Sequence, residues 1–425
     1  MKGLKLFILL LTTSGVVFCA NRIEAIPAFA RKYGTSCSTC HVVIPKLNAF
    51  GKAFRLNGYR FPKEALEQLA EKPVPLGGEP QKKLHPKKAI YPGAIPGTVP
   101  LAIRLESDVN INPASVVKSD FRLPHEVEIL SGGNLGESIS FFVYFQLYND
   151  GELGGLKFAF FQFDSPFGNN PIFNMRMGQI EPAVVPFTRY RRITMEDYLT
   201  SRIQNGPNSF NFKQPQRGLE VWGIRDGSGS GGLFYAMGLV NGNGASGKGD
   251  AGTLDNNSSK DFYGRLRYKF GGLSLTGEKG PPPQGGSWMD NSLSLGGYGY
   301  RGWSPESSFH RLGVDVQWQY KNLDLFGTYM WGEDSFSLTD TSVNRRARFT
   351  AFFVQADYVI LPWIVAALRY SERRTPDDPA APDVKEILAH LSFSVRPNVV
   401  LRMESVGTIN RAEKTRARVR IDFAF

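Results

Sequence analysis

Two cysteines and a histidine form the motif of this sequence that most specifically indicates a chemical role. Cys37 and Cys40 are separated by two residues, and His41 follows directly. A separation of three positions places both sulfurs along one helical turn. There they can form thioethers with the two vinyl groups of a porphyrin, and the adjacent imidazole can reach the iron. C-x-x-C-H is the attachment signature of c-type haem. It predicts one covalent haem c on Cys37 and Cys40, with His41 as an axial ligand.

Two other kinds of site use closely spaced cysteines. A zinc ribbon needs a second pair of ligands, and the one further cysteine, Cys19, lies in or beside the signal segment that is expected to be removed. A redox-active C-x-x-C of the thioredoxin kind needs a βαβ context, which the pattern of this chain does not contain. Haem attachment is therefore the favoured interpretation.

A helix is predicted directly after the motif. Pro45 suits its first turn, Leu47, Phe50 and Phe54 recur at helical spacing, and Asn57–Gly58 provides a left-handed cap. We expect Phe50 and Phe54 to pack on the porphyrin. So short a domain cannot bury an adequate core alone, so we expect that it does not fold without haem.

The second axial position of the iron can take histidine, methionine or a weakly bound water. No methionine lies between Met1 and Met175, so His85 is the first candidate from the N-terminal part. The second candidate is His390, because it shares its face of a predicted strand with Ser392 and Ser394 and is aimed away from the apolar face.

The chain divides into four predicted parts. Residues 1–25 have the basic start and short apolar run of a secretory signal, so the protein is expected to be exported. Residues 26–75 form the small α-helical haem domain, and residues 76–100 form a basic, Pro- and Gly-rich linker. Residues 101–425 form a β-barrel. No later stretch is long and apolar enough for a membrane-spanning helix.

The net charge of +11 is concentrated in the N-terminal part. Residues 1–100 contain 15 Lys+Arg and 5 Asp+Glu, whereas the remainder contains 35 and 34. A basic domain can indicate nucleic acid, but an exported chain does not normally meet it. We therefore expect no nucleic-acid partner, and an anionic redox protein or lipid headgroup in its place.

Short segments of alternating apolar and polar residues follow from Leu101 onward, separated by Gly, Asn, Asp, Ser and Pro. A soluble sandwich repeats every 8 to 12 residues, whereas these segments and loops average about 20, which favours an outer-membrane barrel. We predict about sixteen antiparallel strands. The clearest apolar faces are those of Leu312, Val314, Val316, Trp318 and Tyr320, and of Ala417, Val419, Ile421, Phe423 and Phe425.

The connections differ in length between the two ends of the predicted barrel. Short ones are expected at 226–232, 321–322, 361–362 and 397–398, and long ones at 181–217, 241–260 and 280–309. This alternation is typical of short periplasmic turns and long external loops. It places the termini and the haem domain at the periplasmic end or inside the lumen. His125 and His310 are expected at the membrane interface.

A family resemblance is carried by the segment 25–31, Ala-Ile-Pro-Ala-Phe-Ala-Arg, which leads into Cys37, Cys40 and His41. These residues resemble the fused monohaem cytochrome-porins, whose best-known members oxidise ferrous iron at the bacterial outer surface. The match covers about the first sixty residues, and Lys32-Tyr33 stands where iron-oxidising members usually carry Gln-Thr. The resemblance implies a haem domain that plugs an outer-membrane barrel.

The main functional hypothesis is a redox carrier, or Fe(II)-oxidising oxidoreductase, which takes electrons from extracellular Fe(II) or another donor and passes them to a periplasmic electron carrier. Electron export to an external acceptor fits the sequence equally well. A second hypothesis is a porin that passes anions along Arg265, Arg267, Arg418 and Arg420, with the haem domain as plug or sensor. A third is a barrel that displays a cytochrome to another complex. Acidic residues expected to steer Fe(II) are Asp250, Asp255, Asp290, Glu306, Glu333 and Asp334.

Overall fold

The architecture was obtained as a computed structural model. It describes residues 28–61, 74–75, 94–136, 138–166, 171–205, 208–244, 253–279, 286–304, 307–337, 344–377, 383–409 and 411–425. Among the described residues, no helix is both long enough and apolar enough to cross a membrane.

Residues 28–61, here called the N-terminal segment, contain two short helices, α1 (Ala28–Tyr33) and α2 (Ala49–Leu56). Between them lie a 3-10 helix (Cys37–Thr39) and a hairpin of strands β1 (His41–Val43) and β2 (Lys46–Leu47). Two further short strands, β3 (Val74–Pro75) and β4 (Ala94–Ile95), pair with each other.

Sixteen long antiparallel strands of the described chain close into one barrel, because the last strand pairs with the first. They are β5 (Leu101–Ile111), β6 (Ser119–Asn134), β7 (Ile139–Asn149), β9 (Leu156–Phe163), β10 (Asn174–Ile180), β11 (Gln216–Asp226), β12 (Gly232–Val240), β13 (Asp261–Gly271), β14 (Ser292–Ser304), β15 (Ser307–Tyr320), β16 (Leu323–Ser337), β17 (Asn344–Leu361), β18 (Ile364–Arg374), β19 (Val384–Arg396), β20 (Val399–Thr408) and β21 (Arg411–Ala424). A two-residue strand, β8 (Glu152–Leu153), extends the edge of β7. The predicted barrel of about sixteen strands is confirmed.

Alternation along each strand separates an apolar outside from a polar inside. In β15, Val314 and Trp318 are 51% and 42% exposed, whereas Arg311 and Gln317 are 1% and 5% exposed. The outer surface of a barrel in a membrane faces lipid, so it carries apolar side chains and an aromatic girdle at each interface. One such girdle contains Tyr268, Phe270, Trp318, Tyr320, Tyr358, Trp363 and Phe425.

The two ends of the barrel are named by the connections found there. At the terminal end β5 begins and β21 ends, and connections 227–231, 321–322, 362–363 and 397–398 are short, as predicted. The predicted long connections 181–215 and 241–260 lie at the opposite, loop end.

The predicted connection 280–309 is wrong, because it contains strand β14. The long connection in this part of the chain is 272–291, which precedes β14 and lies at the terminal end rather than at the loop end. Two glycines of strand β14 leave room for lumen-facing side chains of β15: a Cβ at Gly302 would lie 2.3 Å from the ring of Phe309, and one at Gly296 would lie 2.5 Å from the carboxylate of Asp315. Glycines weaken the alternating signal and mimic a loop.

The connection 181–215, here called the lumen loop, folds into the barrel. Its backbone amides of Met195 and Glu196 donate to the carboxylate of Glu404, each at 2.7 Å. The side-chain Nδ2 atoms of Asn205 and Asn208 donate to the carboxylate of Asp334, also at 2.7 Å. Two 3-10 helices, Arg189–Arg191 and Leu199–Ser201, lie within it. The lumen loop therefore crosses the interior, held by inward-facing carboxylates.

Candidate functional site

Cys37 and Cys40 lie one turn apart in the 3-10 helix and the residue that follows it. The Cys40 amide donates to the Cys37 carbonyl at 3.2 Å, and both sulfurs are free thiols that are partly buried. Burial, with a smaller contribution from Cys37, raises the pKa of the Cys40 thiol to about 12. The Cys40 thiol is therefore protonated at neutral pH.

Asn48 fixes the turn that carries the two thiols. As the N-cap of α2 its side chain accepts from the amide of Gly51 at 2.8 Å, and its Nδ2 donates to the Thr39 carbonyl at 2.9 Å. Its backbone amide donates to the Cys40 carbonyl at 2.9 Å. A Cβ at Gly51 would lie 2.1 Å from that carbonyl, so the helix approaches the turn as closely as glycine permits.

This capping corrects the predicted start of the helix. Pro45 does not lie in its first turn; it lies between β1 and β2, and Leu47 ends β2. The helix begins at Ala49 because the Asn48 side chain accepts a hydrogen bond from the Gly51 amide, one of the first-turn amides that lack a partner within the helix. Its predicted end is confirmed, with Gly58 at a φ of +64°.

His41 begins strand β1, next to Cys40. Its Nδ1 is buried and has no hydrogen-bond partner of good geometry among the described residues. Burial lowers the pKa of His41 to about 4, against a weaker opposite effect of the carbonyls of Pro45 and Lys46. A neutral imidazole with an unsatisfied nitrogen suits a metal ligand.

An aromatic cluster packs beside Cys40. Tyr33 and Phe61 stack at 4.1 Å, and Phe50 meets Phe61 edge to face at 5.1 Å. Phe54 is buried at the centre of this cluster, and Cys40 packs against it. The structure therefore brings Phe50 and Phe54 together with Cys40, as their predicted role in haem packing requires.

Polar contacts attach the N-terminal segment to the inner wall near the terminal end. Lys46 Nζ lies 2.5 Å from both Asp324 and Asp357. Burial disfavours the charged ammonium, but the two carboxylates prevail and raise the pKa of Lys46. Arg402 on β20 donates to the Ile44 carbonyl, and Arg60 Nη1 contacts Asp164 at 2.7 Å. The segment that carries His41 is thus held within the barrel.

A cavity of about 170 Å³ lies between α2 and the wall. Lys52 and Arg267 both line it, and neither has a carboxylate within 4.0 Å among the described residues. Lys52 instead donates to Gln317 at 3.3 Å. Burial, and then the charge of Arg267, lower the pKa of Lys52 to about 7. Two such cations favour an anionic group in the cavity.

The candidate second axial ligands have different positions. His85 lies outside the described residues. His390 points into the lumen, as predicted, but its Nδ1 lies 3.0 Å from Glu404 and its Nε2 lies 2.7 Å from Ser392. Both ring nitrogens of His390 therefore have partners.

Most of the acidic residues expected to steer cations are paired. Asp255 contacts Lys260, Asp290 contacts Lys269 at 2.8 Å, and Asp334 contacts Arg311 at 2.7 Å. Glu333 lies 3.7 Å from Arg346. Asp250 and Glu306 lie outside the described residues.

A group of ionisable side chains that the sequence did not reveal lies on β5 and β6. The ligating atoms of Glu106, His125 and Glu126 lie within 4.8 Å of one another. His125 was expected at the membrane interface but is 8% exposed, inside the barrel. From Glu106 to Asp108 strand β5 advances two residues, whereas its partner β6 advances four, from Arg122 to Glu126. This bulge interrupts the alternation of inward and outward side chains in β6.

Two solved porins are similar to this chain in fold. OmpF of Salmonella typhi, in complex with daunomycin, has a TM-score of 0.53 at 11% identity, over 76% of this chain and 97% of that one. The anion-selective porin from Comamonas acidovorans has a TM-score of 0.51 at 11% identity, over 77% of this chain and 99% of that one. No family model and no curated protein matches the sequence. The chain therefore has the fold of an outer-membrane porin.

Proposed function

We propose that this chain is an electron-transfer protein of the bacterial outer membrane, with one covalent haem c inside a porin-like barrel. The observation that carries the proposal is the position of Cys37, Cys40 and His41: two free thiols and a neutral imidazole, attached to the inner wall of a membrane barrel. A bilayer insulates electrons, and a haem within a barrel would give them a path across it.

The residues around the motif fit a haem. Cys37 and Cys40 would hold it through thioethers, His41 would bind its iron, and Phe50 and Phe54 would cover an apolar edge. Bound there, the haem would supply one-electron oxidation and reduction. Its propionates are anions of the kind that the unpaired cations Lys52 and Arg267 require.

The chain itself positions and insulates this site. The contacts of Lys46 with Asp324 and of Arg402 with Ile44 hold the His41 hairpin against the wall. The lumen loop covers it from the loop end, where Ile193, 1% exposed, packs in one apolar cluster with Val43. Water is excluded from that contact, which favours a stable iron ligand.

The physiological direction that we propose runs from extracellular Fe(II) to a periplasmic electron carrier. The basic charge of the N-terminal part suits an anionic carrier protein at the terminal end, where both ends of the barrel sheet lie. Electron export to an external acceptor would use the same site with the reduction potentials reversed.

Anion conduction is the competing function, and the porin fold is compatible with it. The lumen arginines expected to guide anions are largely neutralised, however. Arg265 lies 2.9 Å from Asp315, and Arg420 contacts Glu106 and Asp108. Arg418 lies 3.8 Å from Asp108, which leaves Arg267 as the member of this set without a carboxylate within 4.0 Å in the described part of the chain.

Anaerobic stopped-flow spectroscopy tests the proposal. The oxidised, haem-loaded protein is mixed with Fe(II), and reduction of the haem bands is followed. We expect rapid reduction in the wild type and in the control His310→Ala, and none in His41→Ala. A protein that dithionite reduces but Fe(II) does not would rule out iron oxidation, and a protein without covalent haem would leave the porin function.

A further inference from the structure

A cluster of metal-ligating side chains lies in the lumen, apart from the cysteine motif. Glu106 on β5 faces His125 and Glu126 on β6, with one ligating atom of each within 4.8 Å of the others. Glu126 pairs with Asn149, the last residue of β7, so the cluster lies toward the loop end. An imidazole nitrogen and two carboxylates form a ligand set for divalent transition metals such as Mn²⁺ and Fe²⁺.

The orientation of His125 is that of a metal ligand. Its Nδ1 lies 2.6 Å from Oδ1 of Asp150, in the turn after β7. Its Nε2 lies 3.6 Å from Glu126 and 4.0 Å from Asp108, beyond hydrogen-bond distance of both. A carboxylate that binds one nitrogen of a histidine fixes its tautomer and presents the other nitrogen to a metal. The ring is nine-tenths buried, so this nitrogen faces the cluster.

The charges around the cluster leave one carboxylate uncompensated. Arg104 and Arg420 pair with Glu106, and Arg122 pairs with Asp108 and Asp150. The carboxylate of Glu126, whose side chain is 14% exposed, has no Lys or Arg within 4.0 Å among the described residues. A partly buried, unpaired carboxylate next to a free imidazole nitrogen is stabilised by a cation.

A cavity gives a cation room to enter with water. It has a volume of about 370 Å³, and Glu106, His125 and Glu126 line one side of it. Met195 of the lumen loop and Pro45 of the β1–β2 hairpin line other parts. The cluster and the hairpin that begins at His41 therefore face the same cavity.

We propose that Glu106, His125 and Glu126 bind one divalent transition-metal ion, with Asp150 as the positioning residue of His125. The site binds the metal whether or not the cysteine motif carries haem. The further proposal that this site binds Fe(II) before electron transfer rests on the function proposed above.

Binding of Mn²⁺ to the full-length, haem-loaded protein tests the site, because bound Mn²⁺ loses the sharp electron paramagnetic resonance spectrum of the free ion. We expect one saturable ion per chain. The Kd for Mn²⁺ should rise at least about tenfold in Glu126→Gln and in His125→Gln. It should rise about tenfold in Asp150→Asn, because Asp150 orients the imidazole that binds the metal. The control Glu152→Gln, exposed at the loop end, should bind as the wild type does.

Equal Mn²⁺ binding by Glu126→Gln, His125→Gln and the wild type would overturn the proposal, provided that the variants keep the heat-resistant mobility of a folded barrel. Absence of a saturable site in the wild type would do the same. No electron moves in this assay, so its result does not depend on haem reduction. If the variants lose Mn²⁺ but Fe(II) reduces them at the wild-type rate, the metal site stands and its place in iron oxidation is refuted.

Discussion

Lys46 Nζ lies 2.5 Å from Oδ2 of Asp324, although the two residues are 278 positions apart in sequence. Asp357 accepts from the same ammonium group at 2.5 Å, and the ring of Phe326 lies beneath it at 5.0 Å. This contact joins the hairpin that carries His41 to the wall strands β16 and β17. Its loss would leave the contact of Arg402 with the Ile44 carbonyl to hold the hairpin against the wall.

Lys46→Met leaves Asp324 and Asp357 buried without a counter-charge. We expect a loss of about 3–5 kcal/mol in the free energy of unfolding, the usual cost of breaking a buried ion pair. Denaturant unfolding in detergent micelles measures it. The exposed Lys118→Met is the control. Adding Asp324→Asn and Asp357→Asn should recover much of the loss, and no recovery would mean that Lys46 acts through packing alone.

Lys52→Met reports whether the cavity beside α2 receives an anion. Without one, a pKa of about 7 in the folded chain, against an ordinary 10.5, means that charged Lys52 opposes folding below pH 10.5. The substitution would then stabilise the protein at pH 6 and much less at pH 10. With a haem propionate in the cavity, charged Lys52 has a counter-charge, so Lys52→Met would destabilise the protein.

We expect the reversed result for Lys52→Met in the haem-loaded protein. The variant should be less stable at pH 6 than the wild type, and its reduction potential should fall on the order of tens of millivolts, because a positive charge near the iron is lost. Redox titration and unfolding at pH 6 check this. A stabilised variant with an unchanged potential would place the propionates elsewhere.

Gly51→Ala should disturb the turn that carries the thiols. The added methyl would lie 2.1 Å from the Cys40 carbonyl, so α2 and the turn must separate. We expect less covalent haem per chain and a stability loss of about 1–3 kcal/mol. Haem-stained gels and unfolding measure the two effects. Gly229→Ala is the matched control, since its Cβ meets nothing within 4 Å; equal haem content in both variants would contradict the expectation.

His85→Ala and His390→Ala separate the candidates for the second axial ligand. We expect His85→Ala to change the ferric spectrum from low spin to high spin. His390→Ala should leave the spectrum unchanged, because Glu404 and Ser392 occupy both ring nitrogens. Absorption and magnetic circular dichroism distinguish the spin states. A high-spin spectrum in His390→Ala alone would reverse the assignment.

Strands with strict alternation could be predicted from the sequence. In β15 and β21, each step of two residues keeps one side chain in lipid and the next in the lumen, so Trp318 and Arg420 were oriented correctly. Strand β14 was missed because its glycines, such as Gly296 and Gly302, leave room for Asp315 and Phe309 on β15 and resemble a loop in the sequence. The position of His125 was missed because a bulge in β6 interrupts the period.

The immediate surroundings of the motif were predictable only in part. The cap at Gly58 follows from local sequence, whereas Pro45, which suits a first helical turn, led to a wrong start for α2; the cap that starts the helix is Asn48. Contacts such as Arg402 with Ile44 join residues 358 positions apart, and no periodicity encodes them. The unpaired state of Lys52 likewise depends on which wall residues face it.

The attachment of the N-terminal segment to late strands has a consequence for biogenesis. Lys46 enters the periplasm early, but its partners Asp324 and Asp357 emerge only after most of the barrel sequence has been exported. The N-terminal segment is therefore present before strands β16 and β17, to which it binds, and the closing pair β21–β5 forms around it. Cys37 and Cys40 would be accessible to a maturation enzyme during this interval, so attachment of the proposed haem would precede closure of the barrel.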